Sequence, residues 1–171
     1  MGYKEAEFFG VPSRIFRISF SGELAYEINV KSDHGMFMWE KMMEVGKEFG
    51  NQPYGTEALS TLRIEMGHVA GPELDGRTIP SDVSLNGLVS KKKDFIGKNS
   101  LGREAFNVES RQKIVGLIPI DRKSSIPEGS HIVQDQNAKL PNPKLGHVSS
   151  SCWSVENNNP FSLAIMKDGK N

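Results

Sequence analysis

Four short β-rich runs crowd the last third of the chain, and they restrict its fold more than any other feature. Residues 114–118 (Ile-Val-Gly-Leu-Ile), 131–133, 145–150 and 161–166 are each strand length. Turn clusters at residues 124–129, 137–143 and 156–160 separate them. Short strands at such spacing are the mark of a small antiparallel barrel or sandwich. Four strands leave open edges, and Met166-Lys167-Asp168-Gly169 reads as a turn that should lead into another strand. The barrel is therefore expected to be incomplete.

The first two thirds read differently. Residues 14–20 alternate Ile, Phe and Ile against Arg and Ser, and residues 24–30 form a second β-rich run beyond Ser21-Gly22-Glu23. Together they predict an antiparallel hairpin. Ser32 or Asp33 is expected to cap a helix carrying Phe37, Met38, Met42, Val45 and Phe49, which Gly50-Asn51 ends. Met36, Met38, Met42 and Met43 read as core filler. A second helix is expected from residues 53–56 to about Met66, with Gly67 as its stop. Residues 68–96 hold turn makers and no helical period, and a loop of that length is unusual unless it has a task or wraps another chain. Residues 97–106 resemble one short helix. The expected class is α+β: an antiparallel sheet with packed helices over residues 1–109, then the small incomplete antiparallel β-barrel over 110–171.

Charge and cysteine usage remove several function classes. The 171 residues carry 21 Lys plus Arg against 21 Asp plus Glu, a formal net charge of zero that argues against a dedicated nucleic-acid binder. No apolar stretch approaches the roughly 20 residues that cross a bilayer. Cys152, the single cysteine, forms neither an internal disulfide nor a cysteine-rich zinc site. Lys4, Glu5 and Glu7 stand where a signal peptide needs an apolar core, so a reducing, cytoplasmic setting is expected.

The chemistry-bearing residues are few. Neither a Gly-x-Gly-x-x-Gly turn nor a Walker lysine occurs, and His34, His68, His131 and His147 lack ligand spacing. Ser149-Ser150-Ser151-Cys152 lacks the elbow glycines and partnered base of a nucleophile. Glu27 stands out because it falls in the middle of a strand, between Tyr26 and Ile28. Periodicity leaves two readings open, a solvent-facing residue or a carboxylate facing a cleft. In the second, it accepts paired hydrogen bonds from a planar donor edge such as a guanidine or an aminopyrimidinone. Arg63 reads as one side of an ion pair across packed elements. Lys91-Lys92-Lys93 is the one concentrated charge run, a solvated loop or an attractor for a polyanionic tail or an acidic partner surface.

Several stretches then resemble, in order, the signatures of the glycine-cleavage T-protein (aminomethyltransferase) superfamily. They are Phe16-Arg17-Ile18-Ser19-Phe20-Ser21-Gly22-Glu23-Leu24-Ala25-Tyr26-Glu27-Ile28-Asn29-Val30, Tyr54-Gly55-Thr56-Glu57-Ala58-Leu59, Leu62-Arg63-Ile64-Glu65-Met66-Gly67 and Gly146-His147-Val148-Ser149-Ser150. Ser90-Lys91-Lys92-Lys93-Asp94-Phe95-Ile96-Gly97 and the ending from Trp153-Ser154 to Met166-Lys167-Asp168-Gly169 resemble the C-terminal folate-binding module of the sarcosine oxidase α-subunit branch. The resemblance covers nearly the whole chain from about Ser13 onward. It implies tetrahydrofolate as ligand, capturing the imine from sarcosine oxidation to give methylenetetrahydrofolate and glycine. FAD, FMN and NAD are implied for the full complex, outside this chain. The implied partners are the other oxidase subunits and the small-molecule folate, with no nucleic acid and no membrane.

Residue by residue, Glu27 matches the family glutamate that holds the pterin. Phe20 stands where T-proteins often have a tyrosine near the ligand, so stacking is retained without the hydroxyl. Leu59 stands at a ligand-contacting arginine of T-proteins, and Arg63 matches a neighbouring family arginine, which favours the oxidase branch. Lys91, Lys92 and Lys93 are the candidates to meet the negative tail of folate. The module's N-terminal half, with an aspartate that assists the chemistry, has no counterpart here. The resemblance thus implies a truncated subunit, inactive alone, with no catalytic residue assigned. A free aminomethyltransferase and a non-catalytic interaction fragment are the alternatives.

Overall fold

The computed structural model describes residues 2–169. They fall into two compact units that part between Met66 and Gly67.

In the first unit, β1 (Gly2–Phe8) and β2 (Val11–Arg17) form a hairpin in register from Gly2 opposite Arg17 to Phe8 opposite Val11. Its two-residue turn has Phe9 at φ 53° and Gly10 at φ 77°. Two successive positive φ values give the turn a twist that matches the right-handed twist of paired strands. Residues 2–8, read from sequence only as a lead, thus form a strand. The expected second hairpin also exists, with β2 antiparallel to β3 (Glu27–Asn29) through Arg14–Asn29, Ile15–Ile28 and Phe16–Glu27. It is shorter than its sequence pattern, because residues 18–26 leave the ladder as a loop.

A 3-10 turn at Ser32–His34 leads into α1 (Gly35–Gly46), and a second at Lys47–Phe49 ends at Gly50 with φ 68°. The expected side-chain cap from Ser32 or Asp33 is not made, since both belong to the preceding turn. The helix α2 (Thr56–Glu65) stops where Gly67 turns left-handed, at φ 68°. Val11, Met38 and Ile64 are the buried apolar residues of this unit. The core reading of the methionines therefore holds fully for Met38, Met42 and Met43 are half-buried, and it fails for Met36. Met36 is 70% exposed and Phe49 79%, leaving much of the apolar face of α1 and its extension uncovered.

The second unit holds β4 (Gln112–Leu117), β5 (His131–Val133), β6 (Lys144–Ser154) and β7 (Asn159–Lys167) in one antiparallel sheet, ordered β4-β7-β6-β5. All four strands were legible in sequence, although β6 and β7 are longer than their apolar cores. Val148, Leu163, Ala164, Ile165, Ile114 and Val83 form the buried centre. A register shift between Val148 and Ser150 inserts one extra residue, Ser149, whose hydroxyl donates to the Leu163 carbonyl at 3.1 Å.

The residues before β4 carry 3-10 turns at Gly71–Glu73, Pro80–Val83, Asn86–Leu88 and Glu104–Phe106, plus the one-turn helix α3 (Lys98–Leu101). The predicted helix over 97–106 is thus interrupted after Leu101. Composition changes style near residue 110, yet the compact units part earlier. The reason is anchorage of the irregular segment to the strands. Glu73 accepts the Ser150 hydroxyl at 2.5 Å, and Lys113 donates to the Ser81 carbonyl at 3.0 Å. Arg111 also pairs with Asp82.

Candidate functional site

Of the sequence-derived site residues, Glu27, Phe20 and Arg63 lie in the first unit, whereas Lys91, Lys92 and Lys93 lie in the second. Glu27 opens β3 opposite Phe16, whose ring lies 5.1 Å from that of Tyr3 at a 40° tilt. The Glu27 side chain is exposed and, among the described residues, its carboxylate has no hydrogen-bond or ion-pair partner. The loop 18–26 carries Phe20, 39% exposed, together with the exposed Leu24 and Tyr26. Gly22 ties this loop to the end of α2. It has φ +89°, and a Cβ there would fall 2.4 Å from Cγ of Met66. The positive φ favours glycine, and a larger residue would also have to displace the Met66 side chain.

Among the described residues, two buried polar atoms in this stretch have no hydrogen-bond partner, Ser19 Oγ in the loop and Glu65 Oε1 beside Met66. Buried polar atoms are nearly always paired, so each orphan marks an unmet demand. Arg63, on α2, is 5% exposed and is not without a partner. Its guanidinium is therefore a buried, engaged group rather than a free cation at the surface.

A second polar constellation, which the sequence reading missed, lies within the second unit. A cleft of about 340 Å³ is lined by Glu73, Asp82, Arg77, Arg111 and His147, among others. Glu73 and Asp82 are 1% and 4% exposed. Burial pushes the Asp82 carboxyl up. The Arg111 guanidinium, the Ile79 N–H donor at 3.1 Å and Lys113 outweigh it and hold the group below the usual carboxylate range. Arg111 is held above its ordinary value chiefly by its hydrogen bonds to Asp82, and it also lies 5.4 Å from the Phe106 ring. A local signal was available in both segments. In Ala70-Gly71-Pro72-Glu73 and in Ile79-Pro80-Ser81-Asp82, a proline stands at the first or second position of the turn. The acid at its third position then accepts the N–H of the residue three before, at 2.9 Å for Glu73.

The serine run is structural. Ser150 is fully buried on Glu73, and the Ser151 hydroxyl donates to the Ile126 carbonyl at 2.5 Å. Cys152 is half-buried on β6 next to the exposed Trp153. Among the described residues no group of three or more His, Cys, Asp or Glu could hold a metal ion, and no helix is long and apolar enough to cross a membrane.

Comparison with known proteins gives a consistent picture. Residues 1–93 match the GCVT N-terminal domain family. The sarcosine oxidase subunit alpha of Rhizobium meliloti (strain 1021) is 40% identical over 98% of this chain, which spans 17% of that protein. That of Corynebacterium sp. (strain P-1) is 42% identical over 94% of the chain, again spanning 17%. The aminomethyltransferase of Bacillus mycoides (strain KBAB4) is 33% identical over 92% of the chain, which covers 42% of its length. Among solved structures, the glycine cleavage system aminomethyltransferase T from Bartonella henselae superposes with a TM-score of 0.70 over 91% of this chain and 42% of its own, at 22% identity. That match establishes the fold.

Proposed function

Since the chain belongs to the GCVT N-terminal domain family, we propose that it is the tetrahydrofolate-binding part of a sarcosine oxidase alpha subunit. Identity to the alpha subunits exceeds identity to the aminomethyltransferases over a similar stretch, which supports the oxidase branch. The observation that carries the ligand is the Glu27 carboxylate, strand-borne, exposed and without a partner among the described residues.

When bound, tetrahydrofolate supplies a nucleophilic nitrogen that takes up the one-carbon unit of the imine formed from sarcosine, leaving glycine. The chain's own residues bind and orient. Glu27 presents two acceptor oxygens side by side, the match for two parallel N–H donors of an aminopyrimidinone edge. The Phe20 ring offers a face for stacking a flat heterocycle. Ser19 Oγ and Glu65 Oε1 await polar partners, as a polar ligand at this loop supplies. Arg63, buried on the same helix as Glu65, is the remaining residue of the proposed site. FAD, FMN and NAD, and the oxidation itself, belong to other parts of the assembled enzyme. The division into modules 1–109 and 110–171 is retained as part of this proposal.

Calorimetric titration of tetrahydrofolate tests the reading. Saturable heat is expected, and Glu27→Gln should weaken binding by about 1.5–3 kcal/mol, the scale of a charge-assisted hydrogen bond. Equal affinity in Glu27→Gln removes Glu27 from the site. Absence of heat from the unmodified chain favours the alternative of a non-catalytic interaction piece.

A further inference from the structure

The folate reading uses Phe20 and Glu27 but gives no part to Met66, the residue that caps α2. Its side chain fills the space where Gly22 would carry one. A Cβ on Gly22 would fall 2.5 Å from Cε and 2.7 Å from Sδ of Met66. Met66 is nonetheless 57% exposed, so the side chain that packs against the loop also meets solvent. We propose that Met66 is a modification site, at which a peroxide oxidises the sulfur to the sulfoxide, releases the loop 18–26 from α2 and weakens the hold on the ligand. For the ligand the proposal rests on the preceding reading, whereas the oxidation and the release stand apart from it.

The chemistry needs no group from the protein beyond the thioether. A sulfur lone pair attacks one oxygen of hydrogen peroxide, and the O–O bond breaks. Sulfur is oxidised by two electrons and keeps that oxygen, while the other oxygen, reduced, leaves as water with both protons. Hydrogen peroxide is little larger than water, so a thioether that is not fully buried lies within its reach. Among the described methionines Met38 is buried, Met42, Met43 and Met166 are half-buried, and Met36 and Met66 are exposed. Exposure thus singles out two sulfurs, and of these Met66 is the one that fills the space beside Gly22.

The product no longer suits that place. Oxidation turns a flexible apolar side chain into a polar one. Gly22 has no side chain with which to answer that polarity, so the new oxygen is better solvated when the Met66 side chain swings into water. The loop then loses an apolar support two residues from Phe20. Glu27 is held otherwise, in the ladder opposite Phe16. The stacking ring is therefore displaced more than the carboxylate. Leucine at this position keeps the support, being apolar and of similar volume, and has no sulfur to oxidise.

The test treats the whole chain, its methionine methyls isotope-labelled, with hydrogen peroxide. Catalase then removes the excess, and peptide masses locate the added oxygen. Met66 should be oxidised at least about fivefold faster than Met42, Met43 and Met166. A nuclear Overhauser effect from the Met66 Cε protons to the Gly22 Cα protons is expected before treatment and should be lost after it. Tetrahydrofolate affinity should fall at least about fivefold on oxidation, and methionine sulfoxide reductase should restore it. Met66→Leu should bind as the untreated chain does and keep its affinity through peroxide, whereas Met36→Leu should lose it as the unmodified sequence does. A circular dichroism melt certifies both leucine variants. Slow oxidation of Met66, an Overhauser effect that is missing at the start or survives oxidation, an affinity unmoved by oxidation, or equal loss in Met66→Leu overturns the proposal. If the untreated chain gives no folate heat, the folate reading falls, and the oxidation rates and the Overhauser effect alone decide whether the loop is released.

Discussion

At the scale of single residues, the Asp82–Arg111 pair is the contact whose loss is most costly to predict around. Arg111 reaches both carboxylate oxygens of Asp82 and the Arg77 carbonyl, joining the irregular segment to β4. Removing Arg111 leaves the buried Asp82 carboxylate with only the Ile79 N–H and the more distant Lys113, so Arg111→Ala should destabilise the chain by about 3 kcal/mol in urea unfolding. The pair also sets an acid limit. The Asp82 carboxyl is held below its unfolded value, so its contribution is present above the unfolded pKa and is lost as pH falls through the folded one. Urea midpoints should therefore be level from pH 7 to 5 and drop below about pH 4, and the part of the drop due to Asp82 should vanish in Asp82→Asn. A midpoint that falls equally in both proteins discounts this pair as the cause.

At the scale of elements, the close approach of β6 and β7 turns on Gly146. A Cβ there would lie 2.3 Å from the Ile165 carbonyl oxygen and 2.6 Å from Met166 Cα, both backbone atoms with no room to give. Gly146→Ala should cost about 1–3 kcal/mol and weaken amide protection along β6 and β7. Undiminished protection would mean the strands part there at no cost. The helix α1 shows the opposite limit of pattern reading. Its apolar spacing marked a face correctly, but spacing does not say whether anything covers that face, and Phe49 and Met36 remain exposed.

At the scale of the whole molecule, the folate proposal has a thermodynamic consequence independent of any single contact. A ligand that binds only the folded chain adds about 2.7 kcal/mol at one hundred times its Kd. Tetrahydrofolate at that excess should raise the urea midpoint accordingly, and the same concentration should shift Glu27→Gln less. The chain spans 17% of the sarcosine oxidase alpha subunits it resembles, so the activity of such an enzyme is carried by far more than these residues.

The hairpin β2–β3, both longer helices and all four strands of the second unit were legible because each rests on a local cause. Alternation marks a strand, a 3.6-residue period marks a helix, and glycine marks a stop at φ 68° after each helix. Glu27 was singled out for a local reason too, a carboxylate in the middle of an apolar run. β1 escaped notice because its exposed, charged face alternates weakly and its turn places Phe9 at positive φ. Glu73, Asp82 and Arg111 escaped because burial of a loop carboxylate depends on partners 77 and 29 residues away. Sequence thus determined which segments extend, coil and turn, since neighbouring residues settle those choices. Only the tertiary structure decided which polar groups leave water, because desolvation is repaid by partners that the chain brings together from afar.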